Sequence, residues 1–498
     1  MNTWLDHLVL LPVLLPLAGV AAGLALWRRP RAGAWAVLLA MGLALGFSSV
    51  LLAVVLAWGE PVVLRLGGWP EPVGIVLVGD VLAAAMAVMS QLVLFAGILY
   101  GLGCHDKCAR YPAFFPLFSA LGAGLTGVML TGDLFNFFVF AELLVISGAA
   151  LTAVSDDRTG TEAAYKYFYI SMVAAIALLL ASGSLYATCG TLNFAELARA
   201  LAAGPAAGLA RFGMVMLLAA MMVKSAVLPL HFWQPDFHTA APTPVHAVLS
   251  SVVVKVGIYG FIRMTTLLFV ADAELIRQIL LVLGSAGVLF GSLGATGTYD
   301  AKRMLAYSTL GQLGFILVAL GWGSAAALAA AIVFAVNHSL AKAAMLMLAG
   351  AVASRAPVKS AAFSVITGLG RYRLFAGALF LLGGMALAGL PPTNGFISKL
   401  MVFQSGIAGG HWGALALLVL ASVVSLVYVG RSFQAIWWQT PPADVQPKPY
   451  GDALLAPTLL IGGCVVLGVW PTPLVRLAEG ASLWLTDPEP YIRAVLGP

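Results

Sequence analysis

Two lysines, Lys224 and Lys255, lie within a predominantly apolar stretch that runs from Val223 to Arg263. A lysine in hydrocarbon costs roughly 2.5 to 3.5 kcal/mol on insertion scales, so it persists where a polar partner or a water-filled path stabilises its charge. Lysine can also change its protonation state when buried, whereas arginine stays charged. The stretch therefore predicts an ion pathway at bilayer depth, and its lysines are suited to carrying protons.

The same stretch predicts two membrane helices that meet through a broken segment. Pro229 follows the first lysine by five residues, and proline removes a backbone donor and interrupts a helix. Three more prolines and three histidines lie between the two lysines: Pro235, Pro242, Pro244, His231, His238 and His246. Irregular backbone at membrane depth is tolerated where protein or water satisfies its polar groups.

Glu142 is the only carboxylate that we place well inside the hydrocarbon, about ten residues into its apolar segment. Lys224 is its natural partner, because opposite charges stabilise each other where solvent is absent. A structural ion pair between helices is one interpretation. A proton-carrying pair is the other, since the charge of each group depends on the proximity of its partner.

Two further groups of titratable residues follow. His338 and Lys342 are four residues apart, which places them on one face of a helix with Asn337 adjacent. A satisfied core group is the alternative there, but a titratable pair on one face favours a hydrated proton relay. Lys399 follows a second predicted helix break, which Pro391, Pro392 and Gly395 create.

The composition identifies the elements that must hold these residues. Hydrophobic residues make up 61% of the 498 residues, charged residues 9%, and the mean hydropathy is +0.99. These values exclude a soluble domain of this size and indicate a polytopic, all-α membrane protein. The net charge of +6 comes from basic residues spread over many loops, so we expect no nucleic-acid partner.

Apolar runs of about 20 residues predict fourteen transmembrane helices, with the first retained rather than cleaved as a signal peptide. Helices 7 and 12 contain the two breaks. Because they lie five helices apart, we predict two inverted five-helix repeats. The predicted units are residues 1–111 (helices 1 to 3), 112–269 and 270–440 (the two repeats), and 441–498 (helix 14 and the tail). The first unit includes a short β-hairpin between Glu60 and Gly79, with Gly67, Gly68 and Pro70 as turn formers.

The distribution of basic residues predicts the orientation. Lys and Arg concentrate in cytoplasmic loops, and the odd-numbered connections carry thirteen of them against four in the even-numbered ones. We therefore predict a plasma-membrane protein whose two termini both lie outside the cytoplasm. The odd set is Arg28, Arg29, Arg31, Lys107, Arg110, Arg158, Lys302, Arg303, Arg355, Lys359, Arg371, Arg373 and Lys448; the even set is Arg65, Arg199, Arg211 and Arg277.

Short connections leave no room for a separate nucleotide-binding or redox domain, so the sequence predicts no cofactor. Cys104 and Cys108 flank His105, but a zinc site needs about four ligands and no second pair follows. Reduced thiols on a cytoplasmic loop are the favoured interpretation, and no metal site is predicted. The energy for transport must then come from an ion gradient or from another subunit.

Several motifs together resemble the proton-conducting antiporter-like family shared by Mrp cation/proton antiporters and the membrane arm of complex I and related hydrogenases. They include TGDLFNFFVFAELL, VKSAVLPLHFWQPDFHTAAPTPVHA, DAKRMLAYSTLGQLGF, NHSLAKAAMLML and GLPPTNGFISKL, and they span residues 131–400. LGGWPEPVGIVLVGD and LTGDLFNFFVFAELL are most similar to the D subunit of Mrp antiporters. A bulky aromatic residue is common in the family where this chain has Ala141.

The resemblance implies a role for each titratable position. Glu142 and Lys224 match the family's ion pair, Lys255 its central lysine, and Lys399 the residue that closes the path to the outside. The other implied positions are His338 and Lys342 as polar groups of helix 11, His246 as a gate, His231 beyond the first break, and Asp300 and Lys302 in the cytoplasmic-side loop.

Three hypotheses for the function follow. The favoured one is a proton-translocating subunit of a multi-subunit Na⁺ or other monovalent cation/proton antiporter, an ion transporter subunit rather than an enzyme. Its partners would be a large A-type antiporter subunit and small membrane subunits. The alternative is a proton-pumping subunit of a complex I-like dehydrogenase or hydrogenase. A solute transporter or membrane scaffold explains the repeated lysines poorly.

Overall fold

The structure is a computed structural model that describes residues 3–69, 73–154, 157–358, 360–441 and 447–497. Pro70, assigned to the hairpin turn, and Lys359, assigned to a cytoplasmic loop, lie outside the described residues. The side chains of Thr3, Trp4 and Tyr372 are also outside the description.

The chain is a bundle of apolar helices. Its main helices, numbered in chain order, are α1 Leu11–Ala25, α2 Pro30–Trp58, α3 Val81–Leu102, α4 Phe114–Leu130, α5 Leu134–Ala153, α6 Arg158–Cys189, α7 Gly208–Lys224, α8 Trp233–Ala240, α9 Thr243–Leu268, α10 Ala273–Gly297, α11 Ala301–Trp322, α12 Ala325–Ala353, α13 Leu374–Ala388, α14 Asn394–Ala408, α15 Trp412–Phe433, α16 Leu455–Val469, α17 Thr472–Thr486 and α18 Glu489–Leu496. Short helices at Thr3–Asp6, Phe194–Leu201 and Phe363–Ile366 lie in connections.

The polytopic all-α class predicted from composition is confirmed. Within the described residues, nine helices are long and apolar enough to cross a membrane: α2, α3, α5, α6, α9, α10, α11, α12 and α15. At the five remaining predicted spans the described residues form shorter helices: α1, α4, α7 followed by α8, α13 followed by α14, and α16.

Both predicted helix breaks are present. The seventh span ends at Lys224 and resumes at Trp233, and the twelfth ends at Ala388 and resumes at Asn394. A side chain at Gly395 would collide with the carbonyl group of Ala386, so the second break needs glycine there to bring its two halves together. The division into inverted repeats and into the four predicted units stays a prediction.

The predicted β-hairpin is also present. Strand β1, Val62–Arg65, pairs antiparallel with β2, Val76–Gly79, in a register that places Val62 opposite Gly79. Arg65 Nη2 donates to the carbonyl oxygen of Val495 at 2.5 Å, so the hairpin is tied to α18.

The fourteenth predicted span ends in a sharp bend. Helix α16 ends at Val469, and α17 leaves it at an angle of 80°. Pro471 and Pro473 explain the bend, because neither can donate the backbone hydrogen bond that would continue α16. Helices α17 and α18 pack back on the bundle.

A buried ion pair joins four elements at the hairpin end of the bundle. Asp80 begins α3 by accepting a hydrogen bond from the Ala83 amide at 2.8 Å, and its second oxygen lies 2.6 Å from Nη1 of Arg263 on α9. Arg263 Nε donates to Tyr259 at 3.0 Å, and the Tyr259 hydroxyl donates to a carbonyl of α4. The guanidinium also lies over the ring of Tyr491 on α18, 5.3 Å from its centroid.

We expect Asp80→Ala to destabilise the protein by about 3 kcal/mol, because Arg263 would remain buried without a counter-charge. Heat-induced or denaturant-induced unfolding of the purified protein in detergent measures this loss of stability. The double variant Asp80→Ala/Arg263→Met is the control and should be more stable than the single variant. Parental stability of the single variant would contradict the expectation.

Candidate functional site

The predicted pair of Glu142 and Lys224 is in contact. Lys224 Nζ lies 3.2 Å from Glu142 Oε1, and the two side chains are 16% and 5% exposed for the glutamate and the lysine respectively. Lys224 is the last residue of α7, so it stands where the seventh span breaks. Val139 and Ile146, three residues before and four after Glu142 on α5, are exposed. The carboxylate therefore lies near the lateral surface of the bundle.

Lys255 and His338 are also in contact, and both are completely buried. Lys255 Nζ is hydrogen-bonded to His338 Nδ1 and to the carbonyl oxygen of Ser251. A π-helical turn at Leu249–Val253 immediately precedes the lysine. Such turns disturb the regular i→i−4 ladder, and here the Ser251 carbonyl accepts from a side chain. Sequence periodicity did not predict this turn.

Lys342 shares a helix with His338 but contacts a different neighbour. Its Nζ donates to Ser308 Oγ at 2.8 Å and to the carbonyl oxygen of Leu305 at 3.2 Å, both on α11. Ser308 Oγ is in turn 2.8 Å from the Tyr428 hydroxyl on α15. The i, i+4 pair thus connects α12 to α9 through the histidine and to α11 and α15 through the lysine.

Lys399 lies against the second helix break. Its Nζ donates to the carbonyl oxygen of Ala388 at 2.8 Å and to Ser422 Oγ at 3.0 Å. Ala388 is the last residue of α13, and the final carbonyls of a helix lack intrahelical partners and carry partial negative charge. The ammonium also lies 5.0 Å from the centroid of the Phe315 ring. The break therefore provides a binding position for the cation.

A pair of stacked histidines joins the predicted gate residue to the half-helix α8. The rings of His238 and His246 are 5.3 Å apart at an interplanar angle of 24°, and both are buried. Sequence reasoning named His246 as a gate but gave His238 no role. Its position four residues after Gln234 on the half-helix that follows the break was the signal available, since this spacing places both polar groups on one face.

An aromatic ladder leads from the ion pair to these histidines. The Tyr167 ring on α6 stacks on Phe237 at 4.1 Å and 12°, and Phe237 contacts His238 at 5.7 Å. Tyr167 also lines a small cavity with Ala141 and Lys224, beside Trp233 of α8. The small side chain of Ala141 thus lies beside an aromatic side chain from α6.

Several fully buried polar groups near the helix breaks and the buried lysines have no hydrogen-bond partner among the described residues. They are Ser225 Oγ, both polar atoms of the Gln234 side chain, both ring nitrogens of His238 and of His246, Asn337 Oδ1, His338 Nε2 and both polar atoms of the Asn394 side chain. Buried polar groups in proteins are almost always hydrogen-bonded, to protein or to internal water. We call these groups, together with the buried lysines, the polar axis, and we expect internal water to satisfy them.

One wide mouth approaches this axis. A cavity of about 680 Å³ is lined by Asp300 and Lys302 together with Thr239 at the end of α8 and Thr243 at the start of α9. Asp300 begins α11 by accepting from the Arg303 amide at 2.9 Å. His246 follows Thr243 by three residues, one helical turn into the bundle. Asp300 and Lys302 therefore line a polar opening. The resemblance placed both in a loop, whereas Asp300 caps α11 and Lys302 lies in its first turn.

His231 is the predicted residue that the structure leaves away from the others. Its Nδ1 lies 3.2 Å from the Pro229 carbonyl oxygen, and its ring packs edge-on against Phe290. In the parts of the chain that the structure describes, no group of three His, Cys, Asp or Glu side chains is placed to hold a metal ion. Burial raises the pKa of the Cys104 thiol to about 12, so this loop cysteine is a poor nucleophile.

Comparisons with known proteins identify the family of this chain. A family model described as NADH:quinone oxidoreductase/Mrp antiporter, TM, matches residues 131–425. The chain is 34% identical to the N subunit of the NADH-quinone oxidoreductase of Desulforudis audaxviator, over 94% of this chain and 97% of that one. It is 30% identical to the D subunit of the Na⁺/H⁺ antiporter of Bacillus subtilis, over 99% and 100% of the two chains.

A solved structure is similar over the same extent. A chain of the Mrp complex from Dietzia sp. DQ12-45-1b superposes with a TM-score of 0.92 at 26% identity, covering 99% of this chain and 100% of that one. The similarity thus extends well beyond the matched segment to the hairpin and the C-terminal helices.

We expect Tyr167→Leu to loosen α8, because the substitution removes the ring that stacks on Phe237. An aromatic pair contributes roughly 0.5 to 1.5 kcal/mol, so amide hydrogen exchange across residues 233–240 should accelerate by up to about tenfold. Tyr167→Phe keeps the ring and should exchange like the parent. Tyr165→Leu, at an exposed position of the same helix, is a further control. Unchanged exchange in Tyr167→Leu would show that the stack does not hold α8.

Proposed function

We propose that this chain, which belongs to the NADH:quinone oxidoreductase/Mrp antiporter family, translocates protons as one membrane subunit of a multi-subunit cation/proton antiporter. The observation that carries the proposal is the row of buried titratable side chains whose ends contact the two helix breaks. A packed scaffold has no need of four buried lysines, since each cation costs free energy to hold away from water.

The contacts support an order of proton carriers. Lys224 with Glu142 stands at one end, Lys255 with His338 occupies the centre, Lys342 follows one turn along α12, and Lys399 stands at the second break. His246 and His238 connect the polar mouth at Asp300 and Lys302 to the central groups. We propose this mouth as the cytoplasmic inlet and Lys399 as the last carrier before the outside.

The chemistry of each carrier suits sequential transfer. An ammonium donates to each partner observed here, so a carrier that loses its proton becomes an acceptor for the next one. Lys255 and His338 cannot both hold an additional proton without strong repulsion at contact distance in a poorly solvated interior. Arrival of a proton on one group therefore favours its departure from the other, which propagates charge along the axis.

The position of Glu142 supports assembly with another membrane subunit. Lys224 contacts one oxygen of Glu142, and lipid offers no polar partner to the part of the carboxylate that stays exposed at the lateral surface. We propose that a large A-type antiporter subunit or one of the small membrane subunits covers this position in the plasma membrane. The exchanged ion is a monovalent cation, and both termini face away from the cytoplasm. The chain is a transporter subunit that needs no cofactor of its own.

A second candidate function is favoured by the 34% identity to the N subunit of an NADH-quinone oxidoreductase. The same axis would then pump protons in response to a redox reaction on other chains. Purification of the native assembly and identification of its partners by mass spectrometry separates the two. Small antiporter-type membrane subunits support the first function, whereas subunits that bind iron-sulfur clusters, NADH or nickel support the second.

We expect Glu142→Ala and Lys224→Ala each to abolish gradient-driven proton transport while the complex still assembles, because loss of one partner fixes the protonation state of the other. Proton flux in sealed vesicles, measured at matched protein levels, is the readout. Glu162→Ala and Lys166→Ala are matched controls, since this exposed pair on α6 is 2.7 Å apart and lies off the axis. Near-parental flux in either axis variant would refute the ion pair as a carrier.

Substitutions at Lys399 distinguish a proton carrier from a structural cation. Arginine keeps the charge but does not release a proton, so Lys399→Arg should be nearly inactive, as should Lys255→Arg. Histidine has an ordinary pKa of about 6.5, so Lys399→His should retain measurable transport with an acid-shifted pH optimum. A pH-sensitive dye in sealed vesicles records both. Parental activity in Lys399→Arg would exclude proton transfer through this lysine.

A further inference from the structure

An open, largely apolar groove lies on the surface of the bundle. It has a volume of about 320 Å³, in the range of ligand sites. Its walls come from the start of α13 and from the π-helical turn Gln434–Trp438 that ends α15. The lining side chains include Leu374, Ala378, Leu381, Phe433, Trp437 and Trp438.

The groove is preformed by aromatic packing. Trp437 stacks on Phe433 at 5.2 Å and 15°, and its Nε1 donates to the Arg373 carbonyl oxygen at 3.3 Å. A side chain at Gly377 would meet the Trp437 ring, so glycine is what allows this tryptophan to lie against α13. Leu374 and Trp438 nevertheless remain 79% and 68% exposed. The fixed walls leave a large apolar surface uncovered.

The rim of the groove is basic. Arg371 lines it, is exposed, and donates through Nη2 to the Trp438 carbonyl oxygen at 3.2 Å. This bond occupies one of the five N–H donors of a guanidinium. No Asp or Glu lines the groove within the described residues. The charge therefore favours an anion at the rim, above an apolar slot.

We propose that this groove binds a phospholipid with an anionic headgroup, with the phosphate at Arg371 and an acyl chain along the slot between Leu381 and Trp438. Tryptophan is enriched where membrane spans reach the headgroup level, and basic pockets between spans bind anionic headgroups. A neutral phospholipid would fill the slot without the added attraction of the rim. A protein partner would have to cover the exposed Arg371 together with the two helix ends that form the groove. An exposed tryptophan such as Trp438 is more typical of a surface that contacts lipid headgroups than of a protein interface.

Brominated lipids test this site, because bromine quenches tryptophan fluorescence on contact. The full chain, purified within its assembly, is placed in nanodiscs of phosphatidylcholine, and brominated phosphatidylglycerol or brominated phosphatidylcholine is titrated in. The contribution of Trp438 is the difference between the parent and Trp438→Phe. We expect brominated phosphatidylglycerol to quench Trp438 at a mole fraction roughly fivefold lower than brominated phosphatidylcholine does. This is the preference expected from the attraction of one basic side chain for an anionic headgroup.

Three substitutions separate headgroup recognition from general lipid contact. Arg371→Gln should abolish the preference, whereas Arg371→Lys should keep most of it because the charge remains. Ala378→Phe, at a position that lines the groove in α13, should fill the slot without adding a tryptophan and should reduce quenching by both lipids. Arg28→Gln in another predicted cytoplasmic loop and Leu420→Phe on the exposed face of α15 are matched controls and should leave the preference unchanged.

Three outcomes would overturn the proposal. Equal quenching by the two lipids in the parent would leave only a boundary lipid. A preference that survives Arg371→Gln would place the headgroup elsewhere. Quenching of Trp438 in the isolated chain that disappears in the assembled complex would assign the groove to a protein partner. Each result is independent of proton transport, so the lipid site and the proposed function fail separately.

Discussion

The free-energy cost of placing ammonium groups in a bilayer governs the interior of this protein. Four lysines are buried at 7% exposure or less, and among the described residues only Lys224 of these four has a carboxylate within ion-pair distance. The other three are held by neutral acceptors: carbonyl oxygens, hydroxyl groups and an imidazole. Neutral acceptors lower the free-energy cost of a buried ammonium group and still allow it to lose its proton. A buried carboxylate would hold the lysine more strongly in its charged form.

Irregular backbone supplies several of these acceptors. A regular transmembrane helix satisfies most of its carbonyls internally and leaves few of them free to accept from a side chain. Here the π-helical turn of α9 presents the Ser251 carbonyl to Lys255, and the end of α13 presents the Ala388 carbonyl to Lys399. The π-helical turn and the helix break therefore lie next to the lysines whose ammonium groups they bind. They also leave backbone carbonyls open to the other buried polar groups.

Much of this organisation could be predicted from the sequence because it depends on local properties. Apolar length defines the spans, proline and glycine define the breaks at Pro229 and Pro391, and the rarity of buried charge identifies Glu142 and the lysines. Contacts between distant segments could not be predicted in the same way. Nothing local distinguishes Tyr167 from its exposed neighbours Tyr165 and Tyr169, and its role comes from packing against Phe237. Likewise, His338 and Lys342 share a helical face, yet each contacts a different helix.

The contacts of α18 have a consequence for biosynthesis. Val495 accepts from Arg65 across a separation of 430 residues, and Tyr491 covers the Arg263–Asp80 pair. At about 5 to 20 residues per second, a ribosome needs roughly 20 to 90 seconds to make the intervening chain. The hairpin lacks this contact throughout that interval, and the end of α9 lacks the cover of Tyr491 from its own synthesis onwards. A nascent chain is therefore open at this end of the bundle until α18 emerges, and any insertion or quality-control factor that senses unfinished helix packing has that interval in which to act.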